Sequence, residues 1–196
     1  MAKKELERRA YSFDVSAEET ENGHIITGRP IVYNSRTDMG FFDEIIDEGA
    51  LNATDLTDVR FLVNHDTKKI PLARSRKNTT NSTMQLTPDN EGLKIRVNLD
   101  TENNEQARAV YSAISRGDMD GMSFCFFVSE ENQRWHDRDG VKVREILKVD
   151  KVIEVSAVNF PAYGGTNINS RSLDSDRRAL ENARAALDNG AKTKPD

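Results

Sequence analysis

Three polar residues that could carry hydrolytic chemistry each interrupt an apolar, strand-like segment of this 196-residue chain. His65 ends one such segment, Ser123 lies in the apolar run that follows Gly121, and Glu154 lies in the middle of a third. A serine hydroxyl is a weak nucleophile at neutral pH, so it needs a base to accept its proton and a third group to orient that base. Histidine is the natural base near neutral pH, and a carboxylate can orient it. The three residue types are therefore those that a serine hydrolase requires.

Sequence order and local motif do not by themselves identify such an enzyme. Ser123 stands in Gly-Met-Ser-Phe-Cys, whereas the nucleophile elbow of α/β-hydrolases has the pattern Gly-x-Ser-x-Gly. The order His, Ser, acid also differs from the orders of chymotrypsin, subtilisin and the α/β-hydrolases. Each residue has a purely structural alternative: a buried serine bonded to nearby backbone, a strand-end histidine, and an edge-strand glutamate that faces water. From the residues alone, these alternatives stay open.

The elements that would position the three residues are mainly strands. A Gly/Asp turn at 117–121 leads into the most apolar run of the chain, which predicts a loop entering a buried strand. Alternate residues of a strand face opposite sides, so Met122, Phe124, Phe126 and Val128 form one apolar face, and Ser123, Cys125 and Phe127 form the other. Alternation in Glu91–Leu99 predicts a half-buried strand. Asn103 or Asn104 is expected to cap a helix that runs to Arg116 and stops at Gly117.

The remaining segments are predicted as follows. Leu6–Val15 and His24–Tyr33 are expected to be strands joined by a polar loop at Ser16–Gly23, with a bulge or break at Gly28–Pro30. Phe41–Leu51 is expected to form a short strand and a turn into a helical segment. Ser129–Gly140 is expected to form a polar hairpin with a turn at Asp139–Gly140.

Composition narrows the function classes. The chain has 28 basic and 33 acidic residues, and its net charge of −5 argues against nonspecific nucleic-acid binding. One cysteine excludes internal disulfides and multi-cysteine metal sites. The sequence shows no secretory signal, no transmembrane run, no P-loop and no dinucleotide fingerprint. We therefore expect a protein of a reducing, cytoplasm-like compartment.

The composition shifts from Thr166 onward, which predicts two parts, a globular part at 1–164 and a tail at 165–196. Ser172–Leu187 is predicted to be helical, with Leu173, Leu180 and Leu187 recurring every seven residues. One large apolar residue per repeat is too little for a free-standing helix, so we expect the tail to form by packing on a partner. Exposed termini are easily nicked, so the tail is expected to be open to cleavage, with Asn167–Arg171 as the expected region.

Several short motifs together resemble one protein family. They are Val63-Asn64-His65-Asp66, Pro71-Leu72-Ala73-Arg74, Asp120-Gly121-Met122-Ser123-Phe124, and Glu154-Val155-Ser156-Ala157-Val158 followed by Pro161-Ala162-Tyr163, with Phe42-Asp43-Glu44 and Gly49-Ala50-Leu51 as an earlier signature. In this order they resemble the prohead (capsid maturation) protease family of tailed phages, over roughly residues 8 to 165. That family is related in fold to herpesvirus assemblin.

The resemblance implies an α+β fold, mainly an antiparallel β-barrel surrounded by a few helices, with a C-terminal helical tail. It implies that Ser123 is the nucleophile, His65 the base and Glu154 the residue that orients the base. The implied activity is that of a serine endopeptidase that cuts scaffold segments from the major capsid protein, and cuts itself, during prohead maturation. The implied location is the host cytoplasm, inside the assembling prohead. Self-association is implied, and no cofactor, metal, nucleic acid or membrane is.

Two departures from the family pattern leave other interpretations open. Ala73 and Cys125 stand where small residues, often glycine, are common, so a thiol lies beside the expected nucleophile. A cysteine hydrolase using Cys125 and His65 is one alternative, and a noncatalytic capsid scaffold protein with a protease-like fold is another. Backbone N–H groups are expected to form the oxyanion hole, with Arg74 as a possible aid.

Overall fold

Strands dominate the part of the chain that the computed structural model describes, which is residues 4–12, 15–21 and 23–159. In chain order the strands are β1 (Lys4–Ser12), β2 (Val15–Thr20), β3 (Gly23–Val32), β4 (Thr37–Asp38), β5 (Asp43–Ile46), β6 (Asp58–Val63), β7 (Ala73–Arg76), β8 (Met84–Pro88), β9 (Gly92–Leu99), β10 (Gly121–Ser129), β11 (Gln133–Arg138), β12 (Val141–Ile146) and β13 (Lys151–Val158). One α-helix, α1 (Glu105–Ser115), and a 3-10 turn at Glu130–Asn132 complete the described elements. None of these helices is long and apolar enough to cross a membrane.

The strands form three sheets. The first has the order β1-β10-β13-β6-β7, the second β2-β3-β9-β8 and the third β11-β12-β5-β4. Most neighbours are antiparallel, but β13 pairs in parallel with β6, and β12 with β5. A barrel closes only when the two edges of a sheet bond to each other, and the edge strands β1 and β7 of the first sheet do not pair. The described residues therefore show a mostly β structure with one α-helix, and do not show the predicted barrel surrounded by several helices.

The core lies on one face of the first sheet. The predicted apolar face of β10 is confirmed, because Met122, Phe124, Phe126 and Val128 are all buried in the main apolar cluster. Side chains of the second sheet belong to the same cluster: Ile26, Ile31, Met84, Leu86, Leu93, Ile95, Val97 and Leu99. The opposite face of β10, which carries Ser123 and Cys125, is left for polar groups.

The helix that precedes β10 forms as its sequence predicts. The Asn104 side chain accepts hydrogen bonds from the N–H groups of Gln106 and Ala107, at 3.0 and 3.2 Å, and so caps α1. Gly117 follows the helix with a φ of +74°, a conformation that glycine adopts without strain. The helix buries Ala107, Val110 and Ile114. The turn at Gly117 then directs the chain into β10.

Three local expectations have different outcomes. The expected polar loop at Ser16–Gly23 is wrong in its first half, because Val15–Thr20 pairs with β3 as β2. The register shift between Gly28 and Ile31 confirms the bulge in β3. The helical segment after β5 is also wrong. The backbone there makes successive turns, and Gly49 has a φ of +82°.

The polar hairpin is confirmed, with Asp139 and Gly140 both at positive φ between β11 and β12. The predicted tail and the boundary at 164 lie outside the described residues.

Candidate active site

His65 is placed by an unusual turn at the end of β6. Asn64 and His65 have φ values of 50° and 60°, which non-glycine residues adopt infrequently. The turn is tied to the end of β13, because the Asn64 N–H donates to the Ala157 carbonyl at 2.9 Å. The Asn64 side-chain oxygen also accepts from the Asn159 N–H at 3.0 Å. These bonds offset the backbone strain and hold the imidazole beside β13.

The His65 ring is paired with Glu154. The distance from His65 Nδ1 to Glu154 Oε1 is 2.5 Å, so an ionised carboxylate there fixes the proton on Nδ1 and leaves Nε2 as the basic nitrogen. Glu154 lies on β13 between β10 and β6 and is 4% exposed, so it is not an edge residue that faces water. Burial alone would raise the pKa of Glu154, but the bond to His65 and the His65 charge, with further donors on Cys125 and Ser156, lower it below its usual value. The carboxylate is therefore ionised at neutral pH.

Ser156 completes the support of this pair. Its hydroxyl donates to Glu154 Oε2 at 2.5 Å, and its oxygen accepts from the His65 backbone N–H at 3.2 Å. One side chain thus connects the carboxylate to the backbone of the base. Sequence analysis gave Ser156 no role, although its two-residue spacing from Glu154 places both on one face of the strand.

Ser123 lies on the same sheet face but is bonded elsewhere. It stands directly opposite Ser156 in the β10–β13 pair, and its side chain is fully buried. Its hydroxyl donates to the backbone carbonyl of Arg9 on β1 at 2.6 Å. The structure therefore brings Ser123 to the face of the His65–Glu154 pair, with its hydroxyl directed at β1 and not at His65.

Cys125 is the residue of β10 that lies directly opposite Glu154. Its Sγ is 3.8 Å from His65 Nδ1, and the Arg8 Nε donates to it at 3.4 Å. Burial, followed by the nearby charge of Glu154, raises the pKa of the Cys125 thiol to about 12. The thiol is therefore protonated at neutral pH, although it lies close to the histidine. The contact with Arg8 had no sequence signal.

The same three residues are the described group that could hold a metal ion. Ligand atoms of His65, Cys125 and Glu154 all lie within 4.8 Å of one another, and imidazole, thiolate and carboxylate are ligands that zinc accepts. A metal would bind the same His65 Nδ1 and Glu154 carboxylate that are now hydrogen-bonded to each other. It would replace the His65–Glu154 pair and not assist it.

Arg74, the suggested aid to an oxyanion hole, is held away from the site. Its guanidinium donates to both carboxylate oxygens of Asp58, at 2.7 and 3.0 Å. Asp58 begins β6, whereas His65 follows the end of that strand. The structure does not bring Arg74 to the other site residues.

Comparisons with known proteins show the family of the chain. A family model described as caudovirus prohead serine protease matches residues 11–179. Among solved structures, the capsid assembly protease of bacteriophage T4 is similar, with 13% sequence identity and a TM-score of 0.45, covering 81% of this chain and 99% of that chain. No curated protein matches the chain significantly.

Proposed function

The chain belongs to the family of caudovirus prohead serine proteases, and we propose that it acts as a serine endopeptidase that cuts scaffold segments from the capsid protein, and cuts itself, inside the assembling prohead. Membership identifies it as a phage protease of capsid maturation. The observation that carries the serine mechanism is the 2.5 Å pair between His65 and Glu154 on the sheet face that also bears Ser123.

In the proposed reaction, the Ser123 hydroxyl turns from the Arg9 carbonyl toward His65. Its Oγ bonds to the carbonyl carbon of the substrate, and its proton passes to His65 Nε2. Glu154 stabilises the imidazolium through Nδ1–H. When the C–N bond breaks, His65 returns the proton to the departing amine. Water then hydrolyses the acyl-enzyme by the same proton route.

The partners follow from the same role. The capsid protein and its scaffold segment are the proposed substrates, and a second copy of this chain is a proposed partner. Residues 1–164 would form the protease part, and residues 165–196 would form a tail for delivery into the prohead.

A cysteine hydrolase is the second candidate, because Cys125 Sγ lies 3.8 Å from His65 Nδ1. Two observations argue against it. The contact is to the nitrogen that already faces Glu154, and the raised pKa of the thiol keeps it protonated.

The test is co-expression of the chain with its proposed substrate, the capsid protein of the same phage, with intact-mass measurement of both proteins. Wild type and Cys125→Ala should remove a segment from the capsid protein, and Ser123→Ala and His65→Ala should not. Losing the nucleophile of a triad lowers the rate by about 10⁶. Processing by Ser123→Ala, together with none by Cys125→Ala, would transfer the nucleophile's role to the thiol.

A further inference from the structure

The N-terminal strand β1 covers the strand that carries the proposed nucleophile. It is the edge strand of the first sheet and pairs antiparallel with the whole of β10. Leu6, the large aliphatic residue of β1, is 56% exposed. Burial of apolar surface, the usual source of strand stability, therefore contributes little at that position.

Charged side chains hold β1 instead. Glu7 and Arg9 are buried on the face away from Ser123, where they meet Glu44 of β5 and Arg144 of β12. The Arg9 guanidinium donates hydrogen bonds to both oxygens of the Glu44 carboxylate, at 2.5 and 2.7 Å. The Arg144 guanidinium likewise donates to both oxygens of the Glu7 carboxylate, each at 2.5 Å. Each is a bidentate pair, which adds geometric selectivity to electrostatic attraction.

The position of β1 is that of a substrate. Ser123 donates to the carbonyl of Arg9, and Ala10 stands opposite Ser123 in the register, so the Arg9–Ala10 bond lies at the nucleophile. An extended peptide commonly binds by adding a strand to a sheet edge, with alternate side chains entering pockets. Arg9 and Glu7 are alternate residues of this kind. They bond to each other at 2.6 Å, and each also meets one residue of opposite charge from the third sheet, Glu44 for Arg9 and Arg144 for Glu7.

We propose that β1 occupies the substrate position, and that Glu44 and Arg144 select substrates with an arginine before the cut bond and an acidic residue two positions earlier. This proposal rests on the proposed function. Its physical basis is the charge balance of the buried group. Glu44 and Arg144 also bond to each other, at 3.0 Å, and Arg9 and Glu7 supply the other two charges. A residue of the wrong charge would bury an uncompensated charge against Glu44 or Arg144, which is strongly unfavourable. A substrate strand with this pattern binds by exchange with β1, which competes with it for the same position.

The sequence contains a second segment with this pattern. Its two Arg-Arg pairs lie in Glu7-Arg8-Arg9-Ala10 and in Asp176-Arg177-Arg178-Ala179. The second tetrapeptide lies in the tail, outside the described residues, and repeats acid, Arg, Arg and Ala in the same order. The tail therefore also has an arginine before the expected cut bond and an acidic residue two positions earlier. Cleavage would break the Arg178–Ala179 bond, with water supplying a hydroxyl to the Arg178 carbonyl carbon and a proton to the Ala179 amine.

Synthetic decapeptides test this specificity on the full-length protein. The probes are the sequence of residues 4–13, the sequence of residues 173–182, and copies of each in which the second arginine of the pair is glutamate. Mass spectrometry of the products should show cleavage between that arginine and alanine. The glutamate copies should have a kcat/KM lower by about 100-fold or more, since they would bury a second carboxylate against Glu44 in place of the arginine that pairs with it.

A variant on the enzyme side separates specificity from folding. Glu44→Gln should lower kcat/KM for the arginine peptides far more than for peptides in which the second arginine of the pair is glutamine. A folding defect would lower both values by the same factor, because the same protein preparation cuts both peptides. Equal losses would overturn the assignment of Glu44.

The outcomes distinguish this proposal from the proposed function. If capsid protein is cut while the two arginine peptides stay intact or are cut at other bonds, the specificity proposal is wrong and the proposed function stands. If Ser123 is shown to be dispensable for cutting capsid protein, the serine mechanism falls, and the substrate position inferred for β1 falls with it.

Discussion

At the scale of single residues, the site is a chain of hydrogen bonds in which each member orients the next. The Ser156 hydroxyl holds Glu154 Oε2 and the His65 backbone, and Glu154 Oε1 holds the ring. The sequence could single out His65, Ser123 and Glu154 as candidates because each is a polar residue in an apolar strand-like segment. It could not find the carbonyl of Arg9 or the role of Ser156, because a backbone contact and a hydrogen-bond direction leave no mark in residue types.

Removing the charge of Glu154 should impair catalysis more than removing the Ser156 hydroxyl does. Glu154→Gln loses the group that fixes the His65 tautomer and stabilises the imidazolium, a change that lowers kcat by about 10⁴ in a related triad. Ser156→Ala leaves the His65–Glu154 bond in place and should cost less. Single-turnover cleavage of capsid protein measures both rates. Equal rates for wild type and Glu154→Gln would assign the orienting role to another residue.

The pair should also make stability depend on pH. The pKa of Glu154 is lowered in the folded protein, so its contribution is fully present above the usual carboxyl pKa of 4.5 and is lost as the pH falls through the lowered value. The difference in the free energy of unfolding between wild type and Glu154→Gln should therefore shrink from pH 7 toward strongly acid solution. Urea titrations of both proteins at several pH values give this difference. A difference independent of pH would show that the carboxylate is not paired.

Among the elements, the sequence predicted those with a clear side-chain period or a specific turn residue, and it missed the strand β2 and the turns that follow β5. The alternation of β9 and the capped helix α1 follow directly from side-chain period and capping chemistry. The strand β2 was missed because its sequence is mostly polar, and pairing with β3 decides its conformation. The barrel was implied by the family resemblance and not by the residues themselves. The described sheets do not close into one, because the edge strands β1 and β7 do not pair.

Gly92 shows how one residue can control the pairing of two elements. It begins β9 with a φ of +148°, and a Cβ there would lie 1.9 Å from the Ile31 carbonyl oxygen on β3. Gly92→Ala should therefore lower the free energy of unfolding by at least about 1–3 kcal/mol. The alanine would be strained at this φ, and its Cβ would also clash with the Ile31 carbonyl. Gly140→Ala is the matched control, since its φ is +80° and nothing lies within 4 Å of a Cβ. Equal losses of stability in the two variants would contradict the proposed clash.

For the molecule as a whole, the N-terminal strand and the tail share a sequence pattern. Strand β1 lies along β10 at the proposed nucleophile, and the sequence of the tail contains the same acid-Arg-Arg-Ala order. An enzyme held by its own N-terminal strand would be restrained until a competing strand displaces it. Under the proposed function, a high local concentration of substrate would favour such exchange by mass action.

The tail should be dispensable for catalysis and necessary for delivery. Its leucines at seven-residue spacing give too little apolar surface for an independent helix, so it should form mainly on a partner such as a capsid protein extension or another copy of the tail. A chain that ends at Gly164 should cut purified capsid protein in solution but should not enter capsids when it is expressed during assembly. Mass spectrometry of the capsid protein and of purified proheads measures the two outcomes.

The alternative is a helix docked permanently on the protease part, and unfolding of the shortened chain would support it. Normal entry of the shortened chain into proheads would show that delivery depends on residues before 165.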